Sequence, residues 1–249
     1  MKDIILQKLK DIEKKEDVTI LYAVESGSRA WGFESQDSDY DVRFIYVRKE
    51  KDYLSLFPKK DVIEYELNSI FDISGWDIQK VLKLAQKSNP TLYEWIHSPI
   101  VYYALPLWND LLPFFDSTVQ LSKLIKHYYY MTFNHYDSQF LTSKKYFYVL
   151  RTMLCCLWII RSQTLPPVPF MQLVEAQLDP TYHELIHKMM NTKKSKEETY
   201  VSEDFSKMNT YIEEQLHFIK QHLDDQYDFN EVNQEDLNSM FLHILKETS

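Results

Sequence analysis

Apolar residues recur along this chain first at helical and then at alternating spacing. Over residues 3–15, Ile4, Ile5, Leu9 and Ile12 fall near helical spacing with charges between them, which predicts an amphipathic helix. "VTILYAV" (18–24) is β-branched and aromatic and predicts a buried strand. "SGSRAWGF" follows as a turn into a short helix, and "SDYDVRFIYVR" (38–48) alternates as a second strand. "VIEYELNSIFDI" (62–73) predicts a third extended segment. "DIQKVLKLAQKS" (77–88) predicts a helix with Ile78, Val81, Leu82 and Ala85 in one stripe, ended by Asn89-Pro90. "TLYEWIHSPIVYYA" (91–104) reads as a helix ending near Pro99, then a short extended piece.

Beyond about residue 117 the pattern is helical throughout: 117–140, 144–162, 170–192 and 203–223, punctuated by "LPPVP" (165–169). No glycine follows Gly75. The expected class is α+β: a sheet-bearing part over 1–115, then an all-helical part over 116–249. Residues 191–204 read as an exposed loop, and "DDQYDFNEVNQED" as a loosely ordered acidic tail.

Composition narrows the partners. A length of 249 residues suits one large or two small domains, and 45% hydrophobic with 26% charged residues is ordinary for a globular chain. The net charge of −9 argues against a general nucleic-acid coat or an anionic membrane partner, while leaving a local basic site open. Cys155 and Cys156 are adjacent in "MLCCLWII". Two cysteines are too few for a disulfide framework or a structural zinc site, so they read as buried thiols in a reducing compartment. No signal-peptide core opens the chain, and no apolar run nears the roughly 18 residues needed to span a bilayer. The expectation is a cytoplasmic protein with no membrane partner.

The chemistry concentrates around two of the three glycines, Gly27 and Gly32. Asp39 and Asp41 lie two apart on the predicted strand, so their side chains share a face. Two unpaired carboxylates there repel, unless the strand is a solvated edge or a hard cation such as Mg²⁺ bridges them to substrate phosphates. Gly27 and Ser28 follow a buried strand and open a short helix. Glycine lets backbone approach a ligand, and free N–H groups and the Ser28 hydroxyl suit an anion. A phosphate cradle thus ends one strand, and a two-acid metal site begins the next.

Gly27-Ser28, ten residues, then Asp39-Tyr40-Asp41 resembles the signature of the DNA polymerase β-like nucleotidyltransferase superfamily. "GSRAWGFESQDSDYDVRFIYV", "DISGWDIQKVLKLAQKSNPTLYEWIHSPIVY" and "KKYFYVLRTMLCCLWI" together are similar to the predicted nucleotidyltransferases called RNA-ligase-associated proteins, over roughly residues 20–205. The resemblance implies a polymerase β-like fold and transfer of a nucleotide from a nucleoside triphosphate to a hydroxyl, with Mg²⁺ (or Mn²⁺) and loss of pyrophosphate. It implies metal ligation by Asp39 and Asp41 and by a third carboxylate on a neighbouring strand. Asp72 in "IFDI" fits that spacing best. Asp77 in "GWDI" is the alternative, and it also fits as a helix N-cap. Arg29 reaches toward phosphate or pairs with Glu25 or Asp37. Arg43 shares the face of the two acids and steers phosphate or balances their charge. Trp31 and Phe33 read as packing.

Residues 117–165 carry six basic side chains against one acid, Asp137, a local charge of +5 with tyrosines interleaved. Lys144, Tyr148 and Arg151 are spaced to share one helix face with Lys145 beside it, and Lys145, Tyr148 and Arg151 suit binding of triphosphate and stacking of a base, as in related enzymes whose helical domain closes over the nucleotide. The competing reading is basic side chains snorkelling over an aromatic core. "HELIH" (183–187) matches the zinc-protease motif by letter, but no extended metzincin pattern follows it. Two function classes remain: a nucleotidyltransferase acting on RNA ends, a protein side chain or a small molecule, and a non-catalytic nucleotide-binding module of a toxin–antitoxin or phage-defence system. A nuclease built on the helical half lacks an R-x-x-x-x-H pair, since Cys156 and Pro166 stand at the fifth positions after Arg151 and Arg161.

Overall fold

The computed structural model describes residues 1–35, 37–136, 143–195, 203–225, 227 and 232–248. The chain forms two compact units. One comprises Met1–Ala30, Ser38–Val119 and Asn230–Ser249, the other Trp31–Asp37 and Gln120–Phe229.

The first unit is built on a mixed sheet of five strands: β1 (Val18–Glu25), β2 (Tyr40–Arg48), β3 (Val62–Leu67), β4 (Phe71–Asp77) and β5 (Val101–Ala104). Their order is β3-β4-β2-β1-β5. β1 pairs antiparallel with β2 and β5, β3 antiparallel with β4, and β2 parallel with β4. The first helix, α1 (Lys2–Glu16), buries Ile5, Leu9 and Ile12 against Val42, Phe44, Phe71 and Ile73 on one face of the sheet. Each such side chain contributes about 1.5–3 kcal/mol, so an Ile12→Asp change would remove much of a typical domain's stability. Asp17 ends the helix in the left-handed region, at φ 52°.

The segment expected to run extended over 62–73 is instead a hairpin. Asn68 makes the turn: its Oδ1 accepts from the N–H groups of Ile70 (2.8 Å) and Phe71 (2.8 Å). A side chain doing the work of a turn replaces the glycine or proline that would have announced it. The turn sends β4 back beside β2. Gly75 permits the pairing, because a Cβ there would lie 2.2 Å from the buried Phe44 ring.

A short helix, α2 (Gly27–Trp31), follows β1, and another, α3 (Glu50–Tyr53), follows β2. On the opposite face of the sheet sit α4 (Ile78–Gln86) and α5 (Pro90–Ile96), with Trp76 of β4 stacked on Trp95 at 3.7 Å. Asp77 caps α4 by accepting from Gln79 N–H at 2.8 Å, and Asn89 caps α5 by accepting from Leu92 N–H at 3.2 Å. After β5 comes α6 (Trp108–Ser117), a helix that the apolar pattern did not announce and that carries Pro113 inside it.

The second unit contains α7 (Leu121–His135), α8 (Ser143–Ser162), α9 (Phe170–Gln177), a 3-10 turn (Pro180–Tyr182), α10 (His183–Ser195) and α11 (Glu203–Gln221). The expected helix over 170–192 breaks at Asp179-Pro180, where the Asp179 side chain accepts from Thr181 N–H at 2.9 Å. α10 continues through Ser195, into the region expected as loop. Residues 137–140 of one expected helix, including Asp137, lie outside the described residues. So do 196–202 of the expected loop and parts of the acidic tail. Phe33 packs into this unit, stacked on Phe147 at 5.0 Å and edge-on to Phe170 at 5.6 Å. Cys155 and Cys156 are both buried. The last helix, α12 (Gln234–Glu247), belongs to the first unit and packs beside α4, with Phe241 edge-on to Tyr53 at 5.1 Å.

Candidate active site

The parallel register of β2 and β4 sets Asp41 directly beside Asp72. Paired residues project from the same face of a sheet, so two carboxylates meet there. They come from strands that the hairpin turn brought together. Ser26 N–H donates to the Asp41 carbonyl at 2.8 Å, which ties the turn after β1 to the start of β2. Gly27 sits at φ 59°, and a Cβ on it would lie 2.1 Å from Asp41 Oδ2. The carboxylate therefore fills the space that any other residue's side chain would take. Gly32 also has a positive φ, 82°, but no atom lies within 4 Å of its Cβ position.

Arg43, two residues along β2, reaches back between the acids. Its Nη2 donates to Asp41 Oδ1 at 3.0 Å and to Asp72 Oδ2 at 2.6 Å. Its Nη1 donates to the Asp72 carbonyl at 2.7 Å. All three side chains are largely buried, at 15%, 21% and 29% exposure for Arg43, Asp41 and Asp72. Charge-assisted bonds in such a setting are stronger than those at an open surface.

Behind Asp41 lies a third acid that the sequence did not flag. A bulge between Ile20 and Tyr22 shifts the alternation of β1, so Glu25 pairs with Val42 on the inward face and is fully buried. Its Oε1 accepts from Asp41 N–H at 2.8 Å, its Oε2 accepts from the Tyr102 hydroxyl, and its carbonyl accepts from Ser98 Oγ at 2.6 Å. Burial pushes the Glu25 carboxyl up to about 7, against the opposing pull of the Tyr102 and Asp41 hydrogen bonds. Burial and the bond to Glu25 likewise push the Tyr102 phenol up. A glutamate at the end of an apolar strand gives no periodic sign of being inside. Only the bulge puts it there.

The remaining candidates are placed as follows. Asp39 precedes β2, which begins at Tyr40, so the strand alternation expected to align it with Asp41 starts after it. Arg29 holds that segment: its Nε donates to the Asp39 carbonyl at 3.0 Å and its Nη2 to the Ser38 carbonyl at 2.6 Å, with the guanidinium 3.9 Å from the Tyr40 ring centroid. Ser28 is half-buried in α2 beside Gly27. Asp77 pairs with Tyr46 five positions along β4, roughly 16 Å from Asp72 at the rise of a strand. It is 3% exposed, caps α4 and accepts from the Tyr53 hydroxyl at 2.9 Å, and burial raises its pKa. It is a structural cap and does not join Asp41.

In the helical unit, Lys145 is exposed and Tyr148 is half-buried against His135, at 4.7 Å between rings. Arg151 departs from the expected surface face. It is 1% exposed, with its guanidinium 4.4 Å from the Trp31 ring centroid. "HELIH" lies on α10, where His183 contacts the Leu178 carbonyl at 3.2 Å and Glu184 pairs with Lys188 at 3.0 Å.

Residues 1–243 match the family described as RNA repair pathway DNA polymerase beta family, RlaP. The chain belongs to the RlaP family. It is 44% identical over 204 residues to Uncharacterized protein YcgL of Bacillus subtilis (strain 168), covering 80% of this chain and 78% of that one. Among solved structures, a nucleotidyltransferase-like protein from Exiguobacterium sibiricum 255-15 aligns over 97% of this chain and 89% of its own, at 13% identity and a TM-score of 0.38.

The donor set of this RlaP chain fits a hard divalent cation. Asp41 and Asp72 offer carboxylate oxygens side by side, and Gly27 puts no side chain in their way. Mg²⁺ commonly takes one or two carboxylates and completes its shell with water and substrate phosphate. Among the described residues no three His, Cys, Asp or Glu side chains gather as a metal-holding group. Asp39 stands outside β2, and Arg43 lies between the other two acids. No helix among the described residues is long and apolar enough to cross a membrane.

Proposed function

We propose that this chain transfers a nucleoside monophosphate from a nucleoside triphosphate to a hydroxyl acceptor, with Mg²⁺ or Mn²⁺ bound, in the cytoplasm. The observation that carries the reading is the Asp41–Asp72 pair seated against Gly27 in a chain of a polymerase β family. Asp41 and Asp72, with Asp39 at the approach, would hold the cation, which supplies positive charge to the α-phosphate and the departing pyrophosphate.

The other roles belong to the protein. Gly27 lets phosphate approach the backbone, and the Ser28 hydroxyl donates to it. Asp72 orients the attacking hydroxyl and takes its proton as the oxygen bonds to the α-phosphorus and the bridging P–O bond to the β-phosphate breaks, releasing pyrophosphate. Glu25 holds Asp41 through its backbone N–H. Arg29 fixes the segment that carries Asp39. In the helical unit, Lys145 and Tyr148 serve nucleotide phosphate and base, while Arg151 supports the Trp31 segment. The description of the family favours an RNA end as the acceptor.

The test is incubation with α-labelled triphosphates, Mg²⁺ and a panel of RNA, protein and small-molecule acceptors. Label should pass to RNA ends and fail to do so with Asp41→Asn or Asp72→Asn. Nucleotide binding without transfer to any acceptor would point to the non-catalytic module instead. Transfer that survives both substitutions would remove the proposed site.

A further inference from the structure

Arg43 stands where a cation shared by Asp41 and Asp72 would have to stand. One nitrogen, Nη2, lies 3.0 Å from Asp41 Oδ1 and 2.6 Å from Asp72 Oδ2. The other, Nη1, is held by two backbone carbonyls, of Asp72 at 2.7 Å and of Val42 at 3.3 Å. The guanidinium is thus anchored at one nitrogen and spans both acids with the other. Metal–carboxylate bonds are near 2.0–2.1 Å for Mg²⁺. A dication bridging those two oxygens would overlap Nη2 and repel its charge.

We propose that Arg43 is a resident counter-cation, which holds Asp41 and Asp72 together without metal and must leave both acids when a divalent cation enters. The inference rests on the cation site proposed above. Its physical basis is the cost of two adjacent, largely buried carboxylates with no positive charge between them. The arginine removes that cost in the metal-free protein, so metal binding must first undo its two charge-assisted hydrogen bonds. The affinity of the site for free metal is lowered accordingly. The two carbonyl anchors keep the displaced guanidinium near the site rather than releasing it to bulk water.

The test uses the full-length protein and Mn²⁺ alone, with no nucleotide, read by the electron paramagnetic resonance of free Mn²⁺ and by thermal unfolding. Arg43→Met should bind Mn²⁺ about 10-fold more tightly than wild type, the scale of a lost charge-assisted bond. It should also melt lower than wild type without metal and gain more from Mn²⁺. Arg43→Lys should fall between them, since a single ammonium cannot fork to two carboxylates and two carbonyls. If Arg43→Met does not fold, the lysine variant carries the comparison. Should both variants bind Mn²⁺ no more tightly than wild type, while Asp41→Asn loses it, the displacement is overturned and the cation site stands. Should no form bind Mn²⁺, the cation site falls and this inference with it.

Discussion

A single methyl group at Gly27 tests the candidate site with a built-in control. Gly27→Ala has two separable effects. An L-residue at φ 59° meets strain of about 1–2 kcal/mol. The new Cβ would lie 2.1 Å from Asp41 Oδ2, against a floor of 3.0 Å for real Cβ contacts. The carboxylate is the end of a flexible side chain, so it will turn away rather than unfold the protein, by roughly 1 Å. Misplacement on that scale is expected to cost on the order of 100-fold in rate. Gly32→Ala meets a similar strain at φ 82°, with nothing within 4 Å of the new Cβ. Both variants should therefore melt roughly 2–8 °C below wild type, and only Gly27→Ala should lose nucleotidyl transfer and Mn²⁺ binding. The assays are scanning calorimetry and label transfer on the same preparations. Equal losses of transfer in the two variants would refute the claim that Gly27 is reserved for the Asp41 carboxylate.

Two further expectations use the buried acids. Folding raises the Glu25 carboxyl from its ordinary 4.5 to about 7, so between those pH values the folded chain holds the proton more often. Stability must then fall as pH rises through that window and level off above it, by about 3 kcal/mol. Urea unfolding at several pH values should show this slope in wild type relative to Glu25→Gln; parallel curves would argue against a buried, titrating Glu25. Asp77→Ala should cost about 1–3 kcal/mol by removing the cap of α4 and stranding the Tyr53 hydroxyl, with Mn²⁺ affinity intact. Asp72→Asn should show the reverse pattern, and calorimetry with Mn²⁺ titration separates the two.

Much of this arrangement was legible from local pattern. Ile5, Leu9 and Ile12 mark the buried stripe of α1, and the stripe of α4 ends where Asn89-Pro90 says it should. These signals are local, so one sequence carries them. What escaped was non-local. Asn68 turns the β3–β4 hairpin through its side chain, with no glycine or proline to mark it. Glu25 looks like a strand end facing solvent until the bulge in β1 turns it inward. Arg151 looks like a surface base on a helix, because only the folded chain brings Trp31 over it. The helix Gln234–Glu247 carried no expectation from the pattern, and its first residues, Gln234–Asp236, lie in the stretch that reads as a loosely ordered acidic tail; its return to α4 is visible only in the folded chain.

The parallel pairing of β2 with β4 also has a consequence for timing during synthesis. Adjacent parallel strands cannot be joined by a tight turn, and here the chain must first lay down α3, β3 and the Asn68 turn before Asp72 arrives beside Asp41. A nascent chain ending before Phe71 already carries the glycine-serine turn and Asp41, yet it has only one of the two carboxylates. Long-range pairing forms late because loop closure must precede it. The proposed cation site is therefore withheld from the growing polypeptide and can form only once β4 has joined the sheet.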